Sequence, residues 1–277
     1  MLLKDAERHA GLLTAALCDA AGVGARLTSA GLQNMLKTLR PSPKASEQTM
    51  EALADAFCGA LVSVASSEVV RAQLQRDGFF LFPATPSGLA LANRVREVVA
   101  AAKAADFELV ASSSRWQGVA DRWTALAPVA RAVQRLVALL LHVRDEALQS
   151  TEPLPFLAPP WAKGQQPHHD LDEKLRALSW LFSLTDVPEM NATQFFPGSH
   201  DASTYPSAPA EDVGRAGTAA PAAPTGALLV FLSTLTHRGQ SMGKDHQAAR
   251  LRLRDLAQWW PEGAEGDAAR RLCKQGV

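Results

Sequence analysis

The sequence predicts an α+β protein, and three observations carry that prediction. Residues 1–72 and 88–150 are rich in Ala, Leu, Val, Arg and Glu, with apolar residues three and four apart, the period of amphipathic helices. Beyond Pro153 the texture changes to short apolar or alternating runs at 178–184, 193–196 and 227–235, broken by Pro, Gly, Asn and Ser, as in a β sandwich or barrel. Between the two helical stretches, Arg76-Asp77-Gly78 is a turn signal, and Phe79-Phe80-Leu81-Phe82 after it suits a strand entering a sheet.

In chain order, the first helical stretch is interrupted at 40–45, where Pro41 and Pro43 predict a loop. After the strand at 79–82, Leu89, Ala92, Val95, Val98 and Val99 form one expected helix face, and Val129, Val133, Leu136, Val137 and Leu140 a second. Both faces predict helix packing. The connection at 201–225 carries Pro206, Pro209, Pro221 and Pro224 among many Ala and Gly, a length expected of a functional lid or a disordered segment. The organisation expected is an N-terminal helical region over 1–72 and a β-rich domain over 73–277, with no internal repeat.

Composition narrows the function classes. The 28 Lys and Arg balance the 28 Asp and Glu, so the electrostatic footprint of a nucleic-acid or anionic-membrane binder is missing. Hydrophobic residues at 47% and charged residues at 20% predict a folded protein. Cys18, Cys58 and Cys273 are far apart and form no CxxC pair, which excludes a zinc knuckle or disulfide framework and points to a reducing, cytoplasmic setting. Lys4, Asp5, Glu7 and Arg8 ahead of the apolar stretch at 12–17 make a poor secretory signal. The longest uninterrupted apolar run, 136–141, is far short of the roughly 20 residues of a bilayer span, so no membrane span is expected.

The chemistry-bearing residues cluster in the β-rich half. On a strand, residues two apart share a face, so His168 and Asp170 of His168-His169-Asp170 can chelate one metal ion. Two ligands hold a metal weakly. His237, 69 residues after His168 and just past the apolar run 227–235, is placed to be the third. Two His and one carboxylate form the facial triad of non-haem Fe(II) oxygenases, which leaves positions open for a bidentate 2-oxo acid and dioxygen.

Order adds specificity. Pro167-His168-His169-Asp170 is followed by Thr193-Gln194-Phe195-Phe196-Pro197-Gly198-Ser199-His200, then by the glycine-led run 226–231, then by His237-Arg238-Gly239. This series resembles the phytanoyl-CoA dioxygenase type of Fe(II)/2-oxoglutarate oxygenases over about residues 76–260, and Arg76-Asp77-Gly78-Phe79 is similar to that family's N-terminal opening. The resemblance implies a double-stranded β-helix, the cupin-like jelly roll, within 73–277, with helices packed outside and Fe(II) held at one mouth by His168, Asp170 and His237. It also implies that His169 points to the opposite face, that His200 is structural and that His246 lies in a loop.

The cosubstrate, 2-oxoglutarate, needs a cation for its distal carboxylate, and a guanidinium fork suits it. The family places an arginine about ten or eleven residues after the distal histidine, but here position 248 is Ala and the first arginine after Arg238 is Arg250, 13 residues beyond His237. Arg250, Arg252 and Arg254 alternate and share a face; Arg250 is the expected anchor and Arg252 the second choice. Gln165 and Thr193 resemble polar positions that contact the 2-oxo acid in relatives. Asn191-Ala192, Gly226-Ala227 and Gln240-Ser241-Met242 depart from the family pattern.

The reaction implied is hydroxylation, or a related oxidation, of an unactivated C–H of a small-molecule or acyl substrate, with release of succinate and CO2. Asp170 argues against halogenation, for which relatives carry a small residue there. Two other readings stay open: a non-catalytic jelly-roll binding or scaffold protein that has lost cosubstrate binding, and a metal-dependent cupin-like enzyme without 2-oxoglutarate.

Overall fold

The computed structural model describes residues 28–38, 48–110, 112–145, 148–150, 152–160, 162–170, 177–200, 217–241 and 250–259. Hydroxyl residues set the helix starts. Thr49 accepts a hydrogen bond from the Ala52 N–H to open α2 (Met50–Ala65), Ser67 from Val69 to open α3 (Glu68–Asp77), and Thr85 from Gly88 to open α4 (Pro86–Ala100). Pro86 in the first turn of α4 lacks only an N–H that would have no partner there. Helix α1 (Ser29–Thr38) precedes these, and α5 (Ala127–Leu141) follows a single 3₁₀ turn. Gly78 ends α3 at φ 82°, and a Cβ there would meet His200 Nδ1 at 2.6 Å, so both the turn and the close approach require glycine.

Among the described residues, ten strands pair antiparallel throughout: β1 (Phe79–Phe82), β2 (Phe107–Val110), β3 (Arg115–Gly118), β4 (Leu148–Ser150), β5 (Leu154–Ala158), β6 (Ala177–Ser183), β7 (Thr193–Phe195), β8 (Leu228–Leu232), β9 (His237–Gly239) and β10 (Arg250–Trp259). The large sheet runs β1-β8-β6-β10-β5-β3-β2, with β4 also on β10; β7 and β9 form a small sheet. Single bridges extend the small sheet at both edges, His168 to His237 and Phe195 to Ala219.

Every residue of β6 is buried, because both faces of the large sheet are covered. Leu178, Trp180 and Phe182 of β6, Leu228 and Val230 of β8, and Leu251 and Leu253 of β10 point to the helices, where the Phe182 ring meets Phe57 of α2 at 5.0 Å. The opposite residues, Phe79, Leu181, Leu229 and Phe231, pack on Phe195 and Leu235 beside the small sheet, with Phe79 stacked on Phe195 at 4.7 Å. Each fully buried Phe contributes about 1.5–3 kcal/mol. Cys58 sits in the helix-side core with its thiol pushed up to about 12 by burial, which makes it a packing residue.

Two expectations change. The stretch 88–150 is not helical throughout: 107–118 forms β2 and β3, where Trp116 pairs with Leu157 of β5, and 148–150 forms β4 on β10. Pairing at the sheet edge overrides helix propensity there. The buried face of α4 is Gly88, Leu91, Ala92, Val95 and Val99, while Leu89 is 47% exposed, because the start at Pro86 fixes the helical phase. By length and composition alone Thr124–Leu141 is apolar enough to cross a bilayer, although no run within it is long; half of it is buried inside the fold, and α5 packs on α2. The predicted face of α5 is buried in full. The loop at 40–45, residues 201–216 of the long connection and His246 lie outside the described residues, as do the side chains of Arg250 and Arg254.

Candidate metal centre and its pocket

His168 and His237 are joined backbone to backbone. The His168 N–H donates to the His237 carbonyl at 2.9 Å and the His237 N–H to the His168 carbonyl at 2.8 Å, so their rings stand 4.5 Å apart. Two residues on, the Asp170 N–H donates to the Ser233 carbonyl at 2.9 Å. The convergence expected from a regular strand at 168–170 thus comes from two separate anchors: His168 makes a single bridge and Asp170 lies at a bend. His169 is exposed.

The side chains meet as a chelating set. One nitrogen from each histidine and one Asp170 oxygen lie within 4.8 Å of one another, and His237 Nε2 is 3.6 Å from Asp170 Oδ1. His168 Nδ1 is 2.8 Å from the Gln166 carbonyl and His237 Nδ1 is 3.0 Å from the Leu235 carbonyl. A carbonyl oxygen only accepts, so each Nδ1 carries the proton and each Nε2 keeps its lone pair for a metal. Asp170 Oδ2 accepts from the Ser179 hydroxyl at 2.6 Å, and Ser179 lies 3.0 Å from the buried Ser233 hydroxyl. His200 is no part of this set; its Nε2 is paired with the Gln75 carbonyl at 2.9 Å.

A pocket of about 590 Å³, counted out to its mouth, opens beside the histidines between the two sheets. Its apolar wall is Phe156, Leu181 and Phe231, and its polar wall includes Gln165, Thr193, Arg252, Arg115 and Asn191. Leu251 and Leu253 turn to the helices, so the alternation of β10 sends Arg252 inward, where its Nη1 donates to Thr193 Oγ1 at 2.6 Å. Gln165 is clamped to β9: its N–H donates to the Gly239 carbonyl at 2.8 Å, and its Oε1 accepts from the Gly239 N–H at 3.0 Å. Thus His168, Asp170, His237, Gln165, Thr193 and Arg252 come together. Arg250, the expected anchor, pairs through its backbone with Ala158, and its side chain lies outside the described residues.

Two pocket residues were missed by sequence reasoning. Arg115 is 2% exposed, and its Nη2 donates to the Gln240 carbonyl at 3.0 Å while the buried Nη1 has no partner. It sits in a stretch read as helix, which hid its place on β3. Asn191 is 1% exposed and leaves both Nδ2 and Oδ1 without partners. Burial holds the Arg115 guanidinium down to about 10; burial and then the charge of Arg115 hold Arg252 down to about 10. Among the described residues neither guanidinium has a carboxylate partner.

No family model matches the chain, and no curated protein matches it. Solved structures do. SnoN, a non-haem α-ketoglutarate-dependent epimerase of nogalamycin biosynthesis, solved with Fe3+, α-ketoglutarate and a nogalamycin compound, aligns at a TM-score of 0.56 and 18% identity over 73% of this chain and 88% of its own. EvdO2 from Micromonospora carbonacea var. aurantiaca aligns at 0.55 and 16% identity over 72% and 93%. EctD from S. alaskensis, solved with 2-oxoglutarate and 5-hydroxyectoine, aligns at 0.54 and 17% identity over 70% and 76%. At these identities the likeness is one of fold, a mixed helical and antiparallel-sheet architecture shared with iron- and 2-oxoglutarate-dependent enzymes.

Proposed function

We propose that this chain is an Fe(II)/2-oxoglutarate-dependent oxygenase of the phytanoyl-CoA dioxygenase-like kind, with a jelly-roll core, acting on a small molecule. The observation that carries the reading is the histidine pair: both rings are fixed by Nδ1 on a backbone carbonyl, which leaves both Nε2 lone pairs free, and a nitrogen of each ring converges with an Asp170 oxygen. That donor set suits Fe(II) and leaves open coordination positions.

His168, Asp170 and His237 hold the iron, which when bound supplies the activation of dioxygen and the oxidative decarboxylation of 2-oxoglutarate to succinate and CO2. Arg252 binds the distal carboxylate of 2-oxoglutarate, with Thr193 fixing the guanidinium from the side. Gln165, rigidly tied to Gly239, orients the cosubstrate near His237. Phe156, Leu181 and Phe231 exclude water from the reacting end of the pocket.

The outcome we assign is hydroxylation of an unactivated C–H, since Asp170 fills the position that halogenating relatives leave small. The fold neighbours include an epimerase, SnoN, and a carbocyclase, SnoK, so the fold admits several outcomes. The test is anaerobic addition of Fe(II) and 2-oxoglutarate to the metal-free protein, followed by visible absorption. A metal-to-ligand charge-transfer band that Asp170→Ala abolishes is expected. Iron binding without the band favours a metal enzyme that does not use 2-oxoglutarate, and no iron binding favours a non-catalytic binding protein.

A further inference from the structure

The polar side chains of the pocket divide by what they offer a ligand. Arg115 and Arg252 only donate, and 2-oxoglutarate at neutral pH only accepts, so both guanidiniums suit the cosubstrate. Gln165 Oε1 is taken by the Gly239 N–H and Thr193 Oγ1 by Arg252. Asn191 is different. Its amide is 1% exposed, lines the same pocket, and among the described residues has no hydrogen-bond partner at Nδ2 or at Oδ1. 2-Oxoglutarate brings no donor and therefore cannot satisfy Oδ1. A buried amide unpaired at both ends is costly unless a ligand completes it.

The backbone around Asn191 is set without help from that side chain. Asn191 closes the 3₁₀ turn Glu189–Asn191, where its N–H donates to the Pro188 carbonyl at 2.9 Å and the Ala192 N–H to the Glu189 carbonyl at 3.1 Å. Ala192 is buried and packs with Val187, Ala223 and Ala227, which anchors the end of the turn. An asparagine that a turn needs bonds to the backbone beside it. Asn191 makes no such bond, so the turn does not account for its amide, and a fixed backbone holds that amide at the pocket wall.

We propose that Asn191 determines specificity by reading the substrate, and that the substrate is a neutral small molecule with an amide-like edge, a donor N–H beside a carbonyl oxygen, on an apolar body. Asn191 Oδ1 accepts from the N–H while Nδ2 donates to the carbonyl, the reciprocal pair that two amides make. Phe156, Leu181 and Phe231 take the apolar body. This rests on the oxygenase reading above and assigns the substrate class of that site.

The experiment uses the anaerobic Fe(II)·2-oxoglutarate complex of the full chain and reads the shift of its charge-transfer band on addition of 3-phenylpropanamide, methyl 3-phenylpropanoate or 3-phenylpropanoate. The amide is expected to bind at least about tenfold more tightly than the ester or the acid anion, which bring acceptors alone and leave Asn191 Oδ1 unpaired. Asn191→Leu, of nearly the same shape, is expected to erase that preference and to keep or raise the midpoint in urea, because an unpaired buried amide is gone. It is also expected to cost far less 2-oxoglutarate affinity than Arg252→Ala does. Asn191→Ala is expected to erase the preference as well, so a packing defect in one variant does not hide the result. Equal binding of amide and ester, tighter binding of the acid anion, or no shift with any probe overturns the proposal. So does an Asn191→Leu variant that keeps the preference, unfolds at lower urea, or loses 2-oxoglutarate as severely as Arg252→Ala, which makes Asn191 part of the cosubstrate site. With the band present these outcomes bear on the proposal alone, whereas its absence in the unaltered protein overturns the oxygenase reading and this proposal together.

Discussion

Ser179 donates its hydroxyl proton to Asp170 Oδ2 across 2.6 Å, from the inward face of a strand where both of its neighbours point into the helix-side core. With that oxygen occupied, Oδ1 is the one 3.6 Å from His237 Nε2, so the serine selects which carboxylate oxygen a metal held by this cluster would meet. Partners of this kind typically raise metal affinity ten- to a hundredfold. Ser179→Ala is therefore expected to weaken Fe(II) binding by about one to two orders of magnitude. The fold should survive, since the change removes two hydrogen bonds, one to Asp170 Oδ2 and one shared with the Ser233 hydroxyl, at about 1 kcal/mol each. Competitive titration with a metal indicator, alongside urea unfolding, checks both parts; wild-type iron affinity would remove the positioning role.

Arg252 and Arg250 are separable by substitution. Arg252 reaches Thr193 within the pocket, and removing a charge-assisted partner of a carboxylate costs about 1.5–3 kcal/mol, or roughly ten- to a hundredfold in affinity. Arg252→Ala is expected to weaken 2-oxoglutarate by that factor and Arg250→Ala by less than about threefold. Titration of the charge-transfer band measures both. If Arg250→Ala produces the larger loss, the anchor lies one strand pair away from Arg252.

The two pocket arginines also predict a pH dependence. Their folded values of about 10 lie below the ordinary arginine value, so between the two the unfolded chain holds more protons than the folded one. The cost of burying these cations is therefore full below pH 10 and is relieved as pH rises above it toward the ordinary arginine value. Ligand binding runs the other way, because an anion needs the charged form. The affinity of the metal-free protein for 2-oxoglutarate is expected to be flat from pH 7.5 to 9 and to fall at least about tenfold by pH 11. Calorimetric titration across that range checks it, and a flat profile to pH 11 contradicts the lowered values.

The clustering of His168, Asp170 and His237 was legible because their chemistry is local in sequence: His168 and Asp170 are two apart, and His237 follows a glycine-led strand. Arg252 was half legible. The alternation of Arg and Leu on β10 showed that 250, 252 and 254 share a face, but which arginine enters the pocket depends on register against β5 and β6, where Arg252 sits between Phe156 and Ser183. Arg115 was not legible at all. Its place arises from the pairing of β3 with β5, some forty residues apart in sequence, and four residues carry no periodicity strong enough to announce a strand. Ser179 was hidden for another reason: within a strand buried on both faces, a serine gives no sign of which residue it will meet.

Gly239 offers a test of how tightly the polar wall is built. It lies two residues beyond His237, pairs with Thr193, and exchanges two hydrogen bonds with Gln165. A Cβ at this position would come within 2.6 Å of Gln165 Oε1 and 2.8 Å of Arg115 Nη2, distances that real Cβ contacts do not reach. Gly239→Ala must displace the amide of Gln165 and the guanidinium of Arg115. Overpacking of this kind costs about 1–3 kcal/mol. The metal ligands are spared, because His237 is held from the other direction by His168 and Leu235. The expected result is a lower midpoint in urea and weakened 2-oxoglutarate binding with Fe(II) affinity within about threefold of the parent, the range of a change that leaves the ligands in place. Loss of iron binding in a folded variant would mean that the polar wall and the metal centre move as one unit.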